Sequence, residues 1–180
     1  MDRTSGLALD RAVKHGNFAV IQMLLEHGAD PRYSRPLHEL IRLRRDRRAT
    51  APDAEDDWRL VMEILLRHGA EINAVTYGAG TPLVSAVANN MWDIVEFLLE
   101  RGADPRRTQP STGLDAFAVA AKGAGSPWEE KDDVKEFLDW LSDPNSRSDG
   151  GEASRVPNGV LENPLVKIVA RVHGKKLGND

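Results

Sequence analysis

The chain of 180 residues contains no cysteine. That excludes a disulfide framework, a thiolate metal site and a cysteine nucleophile. No apolar run is long enough to span a bilayer. No apolar stretch follows Met1-Asp-Arg-Thr4, so no signal peptide is read, and an intracellular location, cytoplasmic or nuclear, is expected. The motifs of hydrolases and nucleotide-binding loops are missing too. His38-Glu39 opens like a zinc-protease helix, but the position of its second histidine is Arg42. Gly78-Ala-Gly80 has no lysine after it to hold a phosphate. Neither an enzyme, a metal, a cofactor nor a small-molecule substrate is expected. The net charge of −4 argues against a dedicated nucleic-acid binder, which is usually basic.

What the chain does have is repetition. Leu24-Leu-Glu-His-Gly-Ala-Asp30 recurs as Leu65-Leu-Arg-His-Gly-Ala-Glu71 and as Leu98-Leu-Glu-Arg-Gly-Ala-Asp104. The glycines of the three copies are spaced by 41 and 33 residues. A second block keeps the same register upstream. It reads Leu7-Ala-Leu-Asp10, Arg35-Pro-Leu-His38 and Thr81-Pro-Leu83, and Gly80 and Gly113 are again 33 residues apart. A period of this size signals stacked supersecondary units rather than one closed core. Thr81 is a good N-cap, and Pro82 suits the first helical position, where no N–H is missed. Ile94, Val95, Leu98 and Leu99 form one apolar stripe on a second helix. Gly28, Gly69 and Gly102 then end each second helix in the left-handed conformation that a side chain resists. A helix pair this small cannot bury both faces, so its neighbours must stack on it.

These two blocks and their shared period resemble the ankyrin repeat family, whose signature is about 33 residues with Thr-Pro-Leu-His-x-Ala in the first helix. The likeness covers residues 5–141. It implies an all-α solenoid with two antiparallel helices and a β-turn finger per repeat. It also implies a concave face that binds other proteins, and a hydrogen-bond bridge between repeats made by His38.

Four repeats are expected, at about residues 5–33, 34–74, 75–107 and 108–141. The first has a polar inner helix carrying Asp10, Arg11 and Lys14, which fits an N-terminal cap. Its finger, Pro31-Arg-Tyr-Ser-Arg35, is clipped by five residues. The second repeat has thirteen extra residues between its helices, within 42–57. Its inner helix should continue through the arginines and stop before Pro52, and Asp53 to Asp57 should open the outer helix. Five arginines face five acids in this insert, which reads either as a solvated, self-neutralised extension or as a charged edge that contacts phosphates, signals nuclear import or docks on an acidic partner. The fourth repeat has a second insertion within 123–132 and an outer helix at Val134, Phe137, Leu138 and Leu141. Residues 142–158 read as a flexible linker. Residues 159–180 hold a short helix striped by Leu165, Ile168, Val169 and Val172, either a cap on repeat four or a docking peptide.

His27 and His68 recur with the period and suit a helix C-terminus; His15 and His173 read as solvent-facing. Trp92 is either an interface residue or a half-buried packing residue. The function expected is a protein-binding adaptor or scaffold, probed through the variable positions of the repeat. On the fingers these are Arg32, Tyr33, Arg35, Thr76, Tyr77, Arg106 and Arg107. On the inner helices they are Lys14, His15, Arg42 and Asn89. Tyrosine and arginine are the residue types that dominate such contacts. The partner is another protein, with no nucleic acid or membrane, and the chain is read as a monomer. Two rivals remain: a regulatory piece that binds through its charged inserts, and a structural segment of a longer array.

Overall fold

A computed structural model describes residues 3–50, 57–124 and 164–172. These residues form eight α-helices: α1 (Arg3–His15), α2 (Phe18–Glu26), α3 (Pro36–Thr50), α4 (Trp58–Arg67), α5 (Pro82–Ala88), α6 (Trp92–Glu100), α7 (Ala116–Ala124) and α8 (Pro164–Val172). Helices α1, α3, α5 and α7 pack side by side as an inner row. Helices α2, α4 and α6 each pack against the inner helix that precedes them. The fold is thus the all-α solenoid that the repetition implies.

The sequence signals map onto local geometry one by one. Thr81 caps α5 by accepting from the Val84 N–H at 3.1 Å, and Asn17 caps α2 by accepting from Val20 at 3.2 Å. The three outer helices end in the same Schellman turn. At Gly102, φ is +85°, the Gly102 N–H bonds Leu99 O at 3.0 Å, and the Ala103 N–H bonds Leu98 O at 2.9 Å. Gly28 and Gly69 repeat this pattern, and the alanine after each glycine is buried.

The stacked layers share one apolar core. Leu9, Ile21, Leu37, Ile41, Leu65, Leu83, Ile94 and Phe117 all lie within it. Each such side chain contributes about 1.5–3 kcal/mol by leaving water. A polar contact sets the register between layers. Asp10 and His38 occupy the same position on successive inner helices, and each bonds the peptide group that opens the next inner helix. The Asp10 carboxylate accepts from the Arg35 N–H at 3.1 Å. The His38 Nε2–H donates to Gly80 O at 3.0 Å. His38 therefore makes the bridge the resemblance implies, and Asp10 makes its counterpart one layer earlier. The third repeat has Val84 at this position, where it is buried.

The first finger is a single 3-10 turn, Pro31–Tyr33, capped by Asp30. The second finger is longer and closes on itself through paired Thr76 and Gly80 backbones, at 2.8 and 2.9 Å. Gly80 needs its φ of +69° for that return. The clipped first finger has extended Ser34 at the equivalent place, with φ −142°, so no glycine is required.

The insert in the second repeat lengthens α3, which runs through all five arginines to Thr50. Residues 51–56 lie outside the described residues, so the expected start of the outer helix is described only from Asp57, the N-cap position of α4. The second insertion, the outer helix expected at 134–141, the linker at 142–158 and His173 also lie outside them. Helix α8 packs against α6 and α7, where an outer helix of the fourth layer would sit. Leu165, Val166, Ile168, Val169 and Ala170 are all buried there. Arg171 pairs with Glu96 at 3.4 Å, just as Arg101 pairs with Glu63, the equivalent residue one layer earlier.

Burial pushes the His38 imidazole below its ordinary value, and the bond to Gly80 offsets only part of this. Arg35 nearby also disfavours the charged ring, and Glu39 favours it. With the folded value below the unfolded value of about 6.5, stability from the neutral ring is complete above that pH and is lost as pH falls through the folded value. Urea midpoints should therefore drop between pH 7.5 and 5.5 in the wild type, and drop less in His38→Gln. Parallel pH profiles would show that the bridge does not titrate.

Candidate functional site

The residues expected to meet a partner lie on the fingers and the inner helices, and none of the eleven is buried. Tyr77, at the tip of the second finger, is 79% exposed. Its ring stands on a hairpin whose backbone is closed on both sides by the Thr76–Gly80 pairing. Thr76 is half-buried and serves that closure. Tyr33 is exposed on the 3-10 turn of the first finger. Arg106 and Arg107 are exposed on the third finger, where the Asp104 carboxylate accepts from the Arg106 N–H at 2.9 Å and shapes the turn.

The other cations are partly engaged. Arg32 folds back on Asp30 through hydrogen bonds of 2.7–3.1 Å. Those bonds hold the Asp30 carboxyl below its usual range and push the Arg32 guanidinium up. Arg35, just before α3, and Arg42 within it flank Glu39 at 3.6 and 3.4 Å. Lys14 and His15 are exposed at the end of α1. Asn89 is half-buried and donates to Ser85 O at 2.7 Å, so its amide caps α5. A shallow crevice lies between the clipped first finger and the base of the second. Its walls include Pro31, Arg35, Leu37, His38, Ala70 and Ala74.

Side chains not anticipated from the pattern hold the fingers to one another. The Gln109 amide donates to Gly78 O at 2.6 Å, tying the third finger to the second. The Asn73 Oδ1 accepts from the Asp104 N–H at 2.9 Å at the base of the same two fingers. The surface carrying Tyr77, Arg106 and Arg107 is therefore cross-linked by hydrogen bonds before any partner arrives. Polar residues in a finger signal such links, but the partner of each lies 31 residues away in the chain.

The edge opposite the fingers is built differently. Arg44, on the extension of α3, pairs with Asp93 at the start of α6 at 2.5 Å. Its guanidinium also stacks on the Trp58 ring, 4.6 Å from the centroid. Trp58 in turn meets Phe97 edge-on at 5.6 Å. Arg59 lies over both rings of this pair and Arg101 over that of Phe97. Burial raises the Asp93 carboxyl, but Arg44 and the backbone N–H groups of Asp93 and Ile94 together outweigh it and leave the group below its usual range. Arg47 lies over Gly16 in the first repeat. The extension thus reaches both neighbouring layers, and Asp93 is a partner that a charge count within the insert does not include. Trp58 is buried and Trp92 half-buried; Trp128 and Trp140 lie outside the described residues.

His27 bonds Met23 O at 2.7 Å at the end of α2, which gives it a structural place. Among the described residues no cluster of histidine and carboxylate side chains could hold a metal, and no helix is long and apolar enough to cross a membrane.

Two segments, residues 6–32 and 80–108, match the ankyrin repeat. Over 94 residues the chain is 34% identical to BCL-6 corepressor-like protein 1 of Homo sapiens. That likeness spans 52% of this chain and 5% of the relative.

Arg44 is only 14% exposed and combines an ion pair with a stacking contact. Arg44→Ala should cost about 1–2 kcal/mol of stability, from cation–π and ion-pair losses together. Asp93→Asn should cost less, because the stack on Trp58 survives. Urea unfolding of both variants checks the order; an unchanged midpoint in Arg44→Ala would mean the extension does not brace the repeats.

Proposed function

The chain is built from ankyrin repeats, in general modules that bind other proteins rather than enzymes, and from that premise we propose that it is an adaptor or scaffold gripping its partner on the concave face. The observation that carries this reading is Tyr77, held far into solvent on a closed hairpin. An aromatic side chain loses little freedom on binding and buries a large area. The finger-to-finger bonds of Gln109 and Asn73 support it further, because a surface ordered in advance has less entropy to lose. Arg106 and Arg107 flank this anchor with guanidinium groups suited to a hot spot. The relative's printed name is that of a corepressor-like protein, which supports a nuclear setting.

The opposite edge is a weaker site, since Arg44 and Arg47 are committed to neighbouring layers. A place within a longer array has one observation in its favour. Leu7 and Met23 are exposed at the N-terminal end of the stack. Met23 holds the position at which Phe97 meets the preceding layer, so a further repeat would cover it.

Affinity capture from native cell extract tests these readings. The full chain is run beside a variant with Tyr33, Tyr77, Arg106 and Arg107 changed to alanine. All four side chains are exposed, so the variant should keep the wild-type melting temperature. Capture of the partner should fall at least tenfold, equivalent to about 1.4 kcal/mol. Arg45→Glu with Arg48→Glu, and Leu7→Lys with Met23→Lys, should leave capture unchanged. Equal capture by the alanine variant would remove the concave face from the account, and loss in either control pair would place the partner on the edge or the N-terminal end.

A further inference from the structure

Resting on the concave-face reading, we propose that the partner presents an acidic segment, with carboxylates at both ends of a stretch of about six residues and an apolar or aromatic side chain between them. The chain as a whole is negative, at −4, yet Lys14, Arg106 and Arg107 stand exposed on its inner helices and fingers. Helices α2 and α6 of the outer row carry Glu26, Asp93, Glu96 and Glu100 and no lysine or arginine, whereas α4 between them carries Arg59 and Arg67 beside Glu63. The fingers and inner helices carry Lys14, Arg32, Arg35, Arg42, Arg106 and Arg107 at the variable positions, and no acid among those positions.

Of the acids that share this side, Glu71 stands exposed at the base of the second finger near Arg32, and four others make internal contacts. Asp30 caps the first finger and holds Arg32. Asp10 accepts from the Arg35 N–H, and Asp104 from the Arg106 N–H. Glu39 lies beneath Arg35 and Arg42 with its side chain 12% exposed, while theirs reach outward. Among the described residues no carboxylate pairs with Lys14, Arg106 or Arg107. Lys14, Arg106 and Arg107 thus outnumber Glu71 among the exposed charges left to a visitor. Opposite charges a few ångströms apart at a protein surface attract by several kcal/mol before desolvation and screening reduce the gain.

The spacing follows from the stack. The cations of the first two inner helices and first finger stand about two layers from Arg106 and Arg107, roughly 20 Å at about 10 Å per helix layer. An extended chain covers that span in about six residues at about 3.3 Å each. Tyr77 lies on the finger between these two groups, and its ring supplies an apolar surface and a hydroxyl donor. A polypeptide fits better than a nucleic acid. Glu39 and Asp104 interrupt the cationic row, and a phosphate at every step would meet them. The two exposed tyrosines sit on separate fingers and offer no continuous stacking platform.

Selection from a phage library of random 12-residue peptides against the full chain tests the proposal. Enriched peptides should carry an excess of Asp and Glu at both ends of an apolar centre. A synthetic peptide of that sequence should bind less tightly as salt rises. It should lose at least tenfold in affinity on Arg106→Glu with Arg107→Glu, and weaken again on Tyr77→Ala. Neutral or basic peptides that still depend on Tyr77 would overturn the acidic partner and leave the concave face standing. Acidic peptides indifferent to both variants would overturn the concave face as well. No enrichment, or tighter binding of a 20-nucleotide single strand of DNA than of any selected peptide, would equally defeat the acidic-peptide assignment.

Discussion

Everything in this molecule depends on one constraint: a two-helix unit cannot bury both of its faces, so each layer is stable only against the next. Apolar contact supplies the driving force, but it is non-directional and does not by itself say where a layer should stop sliding. The polar bridges between layers add that information. Asp10 and His38 each reach one peptide group, the one that ends a finger and opens the next inner helix. The same bond therefore aligns two layers and anchors the base of a finger. Stability and the placing of the fingers are coupled at that peptide.

The second repeat shows how such a stack absorbs an insertion. Lengthening α3 adds no apolar surface to the core; it adds an arginine-rich arm. Two of its arginines turn the arm into a brace, with Arg44 clamped between Trp58 and Asp93 in the direction of the third layer and Arg47 over Gly16 of the first. The cost of desolvating Arg44 is met by an ion pair and a stacking partner at once. The shortened first finger has the opposite effect: it leaves a crevice beside the full-length second finger.

Much of the fold was legible in the residues. The helix-ending glycines, the Thr81 cap and the helical stripes are local rules, and local rules act through neighbours a few positions apart. The His38 bridge was legible only through family likeness, because its acceptor is the carbonyl of Gly80, 42 residues away. Asp10 makes the matching bond, yet its chemistry differs from histidine, so the shared position hid the shared role. The exposure of Tyr33, Tyr77, Arg106 and Arg107 followed from finger positions. What the pattern missed are the side chains that act across layers: Asn73, Gln109, Arg44 and Asp93. Each is a polar residue on a nominally free surface, and only the stacking brings its partner near. The place of α8 against α6 and α7 is equally a tertiary fact, since its apolar stripe fits any apolar groove.

These features converge on a stiff surface that exposes Tyr33, Tyr77, Arg106 and Arg107. The brace keeps the layers in register, the bridges seat the fingers, and the finger links hold Tyr77 and its flanking arginines in place. Hydrogen exchange of the full chain, free and saturated with its captured partner, tests this most directly. Binding on the concave face predicts slowed exchange at residues 74–80 and 104–113, with the end of α3 unchanged. Protection confined to residues 44–50 and the first turn of α4 would contradict it and move the binding surface to the opposite edge.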